Sequence, residues 1–510
     1  MPCIVIPASS PPPSGFSGRH PPSKPPPEPA SDASIFGPRA GGGGAPLPAS
    51  TAGGWHIPPA LQTSDIMLLQ PSPSRHIDGF RHIEPKILSS APSTSVAPAA
   101  LEKNVASSSK SQPAYFERRS IRTVIMRAGT SKGLFIKASE LPASRAAWQH
   151  ILPAVMGSPD PFGRQLNGLG GGSSTTSKIA VVSRSAAPEV ADVDYLFVQC
   201  PIEGDTLDFT GNCGNILSGV APFAVEEGLI PASVLAPLRA FAQAQGASRE
   251  EKVALTLRCL NNGQLIRSTF AMRAGKPVEY GDVVIDGVAG TGSPIQLDFL
   301  DPAGSMCKSL CPTSSPVNQL QVEGEDLPIE VSCVDAANPF VFVHISDIDE
   351  SLRGDEPADV LHQHSPRIER IRQAAAVLMG LAPDTATAAR TKGTPKICLV
   401  ADPLPGSDAH LHSRSYSMGR PHPALQLSGG VCLAAACSIP GSIPNRILLK
   451  NTRMMPQKLK FSHACGAIEA TADVEIDPSS PVGVHVRSTS LFRTARRLAS
   501  AEAYYLAPTQ

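Results

Sequence analysis

The sequence lacks net charge, any long apolar run and much aromatic material, and each absence removes a class of function. Its 44 basic and 44 acidic residues cancel, so no long-range field recruits nucleic acid or an anionic membrane, although a local basic pocket is compatible with that balance. No run of 18 or more apolar residues occurs, so no transmembrane helix is expected. The opening Met1-Pro2-Cys3-Ile4-Val5-Ile6-Pro7 has neither a basic segment nor a long apolar core, and does not read as a secretory signal. Its prolines also forbid the amphipathic helix of a mitochondrial presequence. A cytoplasmic location is the expectation, with targeting by so long a tail left open. There is no Cys-x-x-Cys among the 11 cysteines, an odd number without a small-domain framework, which points to free thiols in a reducing compartment. Cys307 and Cys311, His362 and His364, and His410 and His412 are not joined to a second ligand pair at metal-site spacing, so no metal is expected.

What is abundant lies first in the tail. Pro11-Pro12-Pro13, Pro25-Pro26-Pro27, Gly41-Gly42-Gly43-Gly44 and Ser107-Ser108-Ser109 mark a stretch that cannot bury enough apolar surface to offset the entropy of ordering it. Residues 1–118 are therefore expected to be a disordered extension, with order beginning near Arg119. The remainder suits one two-lobed domain or two domains.

Ile121 to Arg127 reads as a strand, Ala128 to Gly133 as a tight turn and Leu134-Phe135-Ile136 as the returning strand of a hairpin. Pro142 to Met156 has helical spacing. The loop Gly168-Leu169-Gly170-Gly171-Gly172-Ser173-Ser174-Thr175-Thr176-Ser177-Lys178 is not a phosphate-binding P-loop, because a β-branched run rather than a helix follows Lys178. It delivers Lys178 to the start of a strand, where a lysine is either solvated or desolvated into a base that works near neutrality. Tyr195 to Cys200, Asp205 to Phe209, Val253 to Cys259, Leu265 to Met272, Val283 to Ile285 and Ile295 to Phe299 read as further strands. Asn338-Pro339 reads as a turn between two apolar strands. Pro366 to Leu381 reads as an amphipathic helix whose Arg367, Arg370 and Arg372 form a solvated face.

Asp208-Phe209-Thr210-Gly211-Asn212-Cys213-Gly214-Asn215 runs into an apolar helix from Ile216 to Ile230. A thiol at a helix N-terminus feels the positive end of the macrodipole, which favours the thiolate, and the unpaired N–H groups attract carboxylates. Taken alone, the same stretch also reads as a buried cysteine beside a glycine turn. Leu427-Ser428-Gly429-Gly430-Val431-Cys432 repeats its grammar, so two helices are expected to point their N-termini at one cleft.

In order along the chain, Met126 to Gly133, Gly172 to Lys178, Asp208 to Asn215, Val334 to Pro339, Ser417-Met418-Gly419 with His422, and Arg487 to Leu498 resemble the PrpF-type isomerases, relatives of diaminopimelate epimerase. The resemblance runs from about Arg119 to the end. It implies an α+β, diaminopimelate epimerase-like fold of two pseudo-symmetric lobes, each a sheet wrapped around a central helix. Residues 119–305, rejoined by 484–510, would form the first lobe and 306–483 the second. It further implies no cofactor and a catalytic pair at Lys178 and Cys213. Substrate contacts are expected at Thr130, Ser131, Lys132, Ser174, Thr175, Asn212, Gly214, Asn215, Asn338, Met418, Gly419 and His422. Ala128 stands where the family has glycine, and Ser462-His463-Ala464-Cys465-Gly466 where it has Gly-His-Pro-Ser-Gly, in a substrate-contacting loop.

The expected activity is isomerisation of a small unsaturated tricarboxylate, aconitate or 2-methylaconitate, by proton abstraction and dienolate stabilisation. Tautomerisation of 4-oxalomesaconate and methylitaconate Δ-isomerisation are alternatives, as is a non-catalytic accessory role beside an aconitase-like dehydratase. A redox-sensing thiol is disfavoured because no resolving cysteine lies near Cys213 in sequence. The expected partner is a small tri- or dicarboxylate, with no nucleic acid or membrane; a homodimer is the expected assembly.

Overall fold

The computed structural model describes residues 116–231, 233–236, 250–354 and 358–508. Most of the expected disordered extension lies outside these residues. Phe116-Glu117-Arg118, expected to belong to that extension, instead pair with the strand Ala495–Pro508.

In chain order the elements are β1 (Phe116–Ala128), β2 (Ser131–Lys137), α1 (Arg145–Met156), β3 (Lys178–Arg184), β4 (Val193–Gln199), α2 (Gly214–Leu217), α3 (Val220–Glu226), β5 (Glu251–Cys259), β6 (Leu265–Arg273) and β7 (Ile295–Leu300). There follow β8 (Ile329–Ala336), β9 (Asn338–His344), α4 (Ser365–Leu378), β10 (Lys396–Ala401), β11 (Leu411–Ser417), α5 (Leu427–Cys437), α6 (Ile443–Asn451), β12 (Leu459–His463), β13 (Gly466–Ile476), β14 (Val484–Arg493) and β15 (Ala495–Pro508). Among the described residues no helix is long and apolar enough to cross a membrane.

The strand pairing repeats. From β1 to β7 successive neighbours pair antiparallel, parallel, antiparallel, parallel, antiparallel and antiparallel. From β8 to β14 the series is the same. The two lobes join where β7 pairs with β14, and β15 returns to the first lobe along β1. The weak repeat of glycine, cysteine and apolar helix in the sequence is thus the trace of a repeated sheet.

Each sheet curls around a helical segment. All residues of α5 are buried, as its sequence of Leu, Val, Ala, Gly, Ser and Cys on every face requires. The counterpart is broken into α2 and α3, not continuous from Ile216. Pro222 has no N–H to offer the Ser218 carbonyl, and the helical ladder lapses around Gly219. The interiors of both lobes merge into one apolar core containing Val220, Phe223, Val431 and Leu433. Outside it, α1 covers the first sheet through Trp148, Ile151 and Leu152, and α4 covers the second through Ile368, Ile371 and Ala375.

Three local expectations are corrected. Asp205 to Phe209 is not a strand: only Asp208 bridges Gln199, because the Asp208 carboxylate takes the Thr210 N–H at 2.8 Å and bends the chain. The turn between β8 and β9 is Ala337, at φ +60°, and Asn338 and Pro339 already belong to β9. Arg372 is not solvated. It is 2 % exposed, and its guanidinium is held by Glu369 and by the carbonyls of Ala388, Thr391 and Thr394.

Candidate active site

A cleft of about 600 Å³, part of it open to solvent, lies between the lobes. The first lobe contributes Ser131, Ser174, Lys178, Phe197, Gln199, Asp208 and Gly211 to Asn215; the second contributes Gly393, Lys396, Ser417, Met418, His422 and Gln426 to Ser428.

Lys178 is the first residue of β3, between Gly133 of β2 and Gln199 of β4. A side chain at position 133 would come within 2.5 Å of the Lys178 carbonyl, so only glycine lets β2 approach this closely. The Lys178 ammonium donates to Gln199 Oε1 at 2.8 Å and lies 5.1 Å from the Phe197 ring centroid. Gln199 is itself fixed, its amide donating to the Ser177 carbonyl at 2.8 Å. The glycine loop before Lys178 is tied down by Gln165, which is 1 % exposed, donates to Ser158 and Ser177, and accepts from the Gly172 N–H. Lys178 is half-buried and hydrogen-bonded, neither of the two extremes the sequence offered.

Cys213 is the N-cap of α2, partly exposed to the cleft. With α2 a single turn, the aligned dipole behind the thiol is shorter than the sequence implied. On either side, Asn212 accepts from the Tyr195 hydroxyl at 2.8 Å, and Asn215 donates to Thr130 Oγ1 at 3.0 Å while accepting from Arg493 Nε at 3.0 Å. Burial pushes the Arg493 guanidinium down to about 10. Gly214 is pressed against the other lobe: a Cβ there would meet Leu427 Cδ2 at 2.4 Å.

His422 is anchored to β11 by its N–H donating to the Ser415 carbonyl at 2.8 Å. Burial, with smaller contributions from Lys178 and Lys396, pushes its imidazole down to about 4, so it is neutral near pH 7.

Of the expected substrate contacts, Ser131, Ser174, Asn212, Gly214, Asn215, Met418 and His422 line the cleft beside Lys178 and Cys213. The others stand behind it. Thr130 supports Asn215, Lys132 pins the loop through its N–H to the Thr175 carbonyl at 2.9 Å, and Gly419 lines a smaller neighbouring pocket. Asn338 is fully buried and donates to the Asn212 carbonyl at 3.0 Å, setting the backbone before Cys213. The hairpin Ser462 to Gly466 also stands outside the cleft, packing through Gly466 and Ala467 on Asp286.

Sequence reasoning missed Lys396, Gln199, Asp208 and Gln426. No motif surrounds Lys396; the signal is the repeat, since Lys396 sits opposite the third residue of β9 just as Lys178 sits opposite the third residue of β2. Among the described residues no group of three or more His, Cys, Asp or Glu gathers as metal ligands.

The family described as PrpF protein matches residues 118–506. The chain is 38 % identical over 376 residues to the (4E)-oxalomesaconate Delta-isomerase of Novosphingobium sp. (strain KA1), covering 73 % of this chain and 94 % of that protein. It is 30 % identical over 379 residues to the 2-methyl-aconitate isomerase of Cupriavidus necator, covering 70 % and 90 %. Among solved structures, methylitaconate-delta-isomerase superposes with a TM-score of 0.59 at 32 % identity, covering 76 % of this chain and 96 % of that one.

Proposed function

Because the chain belongs to the PrpF family, we propose that its cleft isomerises small unsaturated tricarboxylates of the aconitate and 2-methylaconitate type, with Lys178 and Cys213 as the proton-transfer pair. One observation carries this reading: a thiol and two lysines line a single cleft whose other charged residue, Asp208, is occupied by its own hydrogen bonds to Thr210. Such a site attracts anions and offers groups able to exchange a proton.

The chemistry follows from those groups. A C–H bond allylic to the double bond and activated by a carboxylate breaks, and its proton passes to one member of the pair. The electron pair spreads over the conjugated carboxylate as a dienolate, which positive potential and backbone or amide donors stabilise. The other member returns a proton at either end of the allylic system. Return at the far carbon shifts the double bond; return after rotation gives the geometric isomer. Gln199 fixes the Lys178 ammonium for this role, and Asn338 fixes the backbone that presents Cys213.

The names of the relatives favour the double-bond shift as a second reading, on an oxalomesaconate- or methylitaconate-like acid. Incubating the protein with aconitate, 2-methylaconitate, methylitaconate and oxalomesaconate in deuterium oxide, with products identified by NMR, decides between them. Deuterium entering the allylic position of one acid is the expected result; no turnover of any of the acids overturns the proposal.

A further inference from the structure

The two lysines of the cleft occupy equivalent steps of the repeated sheet, but among the described residues only Lys178 has a hydrogen-bonding partner. Lys396 is 9 % exposed, and among the described residues its ammonium makes no hydrogen bond and no ion-pair contact, although Asp208 acts on it through the cleft; the Phe340 ring lies beside it, with the centroid 5.7 Å away. Burying an unpaired ammonium is costly. Beside it, Gln426 and Asn212 each keep a buried amide nitrogen, Nε2 and Nδ2, without a hydrogen-bond partner, although both residues line the same cleft. The Gln426 oxygen is already taken by the Ser415 hydroxyl at 2.6 Å, so its nitrogen is the free end. Two unsatisfied amide nitrogens and an ammonium without a hydrogen bond thus belong to residues lining one cleft, Asn212 from the first lobe and Lys396 and Gln426 from the second, a set that an acceptor with several lone pairs would satisfy.

We propose that Lys396, supported by Gln426 and Asn212, is the receptor for one substrate carboxylate and sets the preference for three carboxylates over two. This rests on the polycarboxylate reading of the cleft and goes beyond it by assigning recognition chiefly to the second lobe, with Asn212 as the first lobe's share, and proton transfer to the first. The repeat supports the division of labour. The N-cap of α5, opposite the Cys213 N-cap of α2, is Gln426, which cannot exchange a proton but can donate to an anion.

The test uses two saturated acids that cannot be isomerised, tricarballylate and glutarate, titrated calorimetrically into the protein, Lys396→Met and Lys396→Arg. A charged hydrogen bond of ordinary strength predicts that the unmodified protein prefers tricarballylate by a factor of about 10 to 100, that Lys396→Met brings the ratio to about 3 or less, and that Lys396→Arg keeps most of it. An undiminished preference in Lys396→Met overturns the assignment. A protein that binds neither acid sinks the polycarboxylate reading as well, which distinguishes the two failures. A collapse of kcat in Lys396→Met with KM unchanged also overturns it, by making Lys396 a proton-transfer group. Cooperative thermal unfolding verifies that each variant is folded, and Lys396→Gln replaces Lys396→Met if the latter is not.

Discussion

Lys178 and Lys396 show how one scaffold, used twice, gives a single residue type two characters. Each opens the third strand of its lobe, and each follows a loop clamped by a buried polar side chain, Gln165 in the first lobe and Arg372 in the second. The first lysine is half-buried and oriented by Gln199. The second is buried, lies near Phe340 with no hydrogen-bonding partner among the described residues, and is pushed down to about 8, chiefly by burial. The backbone is repeated; the neighbours that set charge and orientation are not.

Activity measurements should separate the lobes most sharply. Lys178→Ala and Cys213→Ala are expected to lower kcat by a factor of about 10² to 10⁴, the usual contribution of a positioned acid or base. Lys396→Met should act mainly on KM, and equal kcat losses at both lysines would erase the distinction. Next come the clamps. Arg372→Ala strips a buried guanidinium from Glu369 and three carbonyls and should destabilise the protein by about 3 kcal/mol in urea unfolding. Gln165→Ala removes only neutral hydrogen bonds and should cost about 1 to 2 kcal/mol. A larger loss at Gln165 would reverse the ranking.

Smaller effects follow from the protonation of Lys396. An unfolded lysine keeps its proton up to about 10.5 whereas the folded one releases it near 8, so between those values the unfolded chain holds more protons and stability rises with pH. Below pH 8 the full cost of burying the charge is present. Lys396→Met should therefore be more stable than the unmodified protein by about 1 to 3 kcal/mol at pH 7, with the gap closing as pH rises towards 10.5. Thermal melts across that range check this. The groups acting on Lys396 are Lys178, which lowers it, and Cys213, Asp208 and Cys432, which raise it, with His422 beside them and neutral above its value of about 4. Affinity for tricarballylate should fall as pH rises past about 8, and that inflection should vanish in Lys396→Met.

Much of this was legible in local pattern. The β1–β2 hairpin, the strand opening at Lys178, α1 and the wholly buried α5 follow from periodicity and turn residues within a few positions of each other. Cys213 and its neighbours stood out because thiol, glycine and amide chemistry is compressed into one short stretch. Lys396 and Gln199 did not, because their roles depend on strand register and on partners distant in sequence. Asp208 misled for the opposite reason: its side chain bonds its own backbone and ends the pairing that alternation had implied. Arg372 looked solvated because periodicity reports which face of a helix a residue occupies, not which loop later folds over it.

The return of β15 along β1 has a consequence in time. The first sheet keeps one flank open while the whole second lobe is being made, because the strand that closes it follows that lobe in the chain. That flank is β1, whose pairing with β15 spans residues nearly the length of the folded region apart, the kind of distant closure that slows folding and leaves an exposed template for foreign strands. Until β15 docks, β1 is therefore the flank most open to foreign strands, and an isolated β15 peptide supplied during refolding should compete for the vacant position.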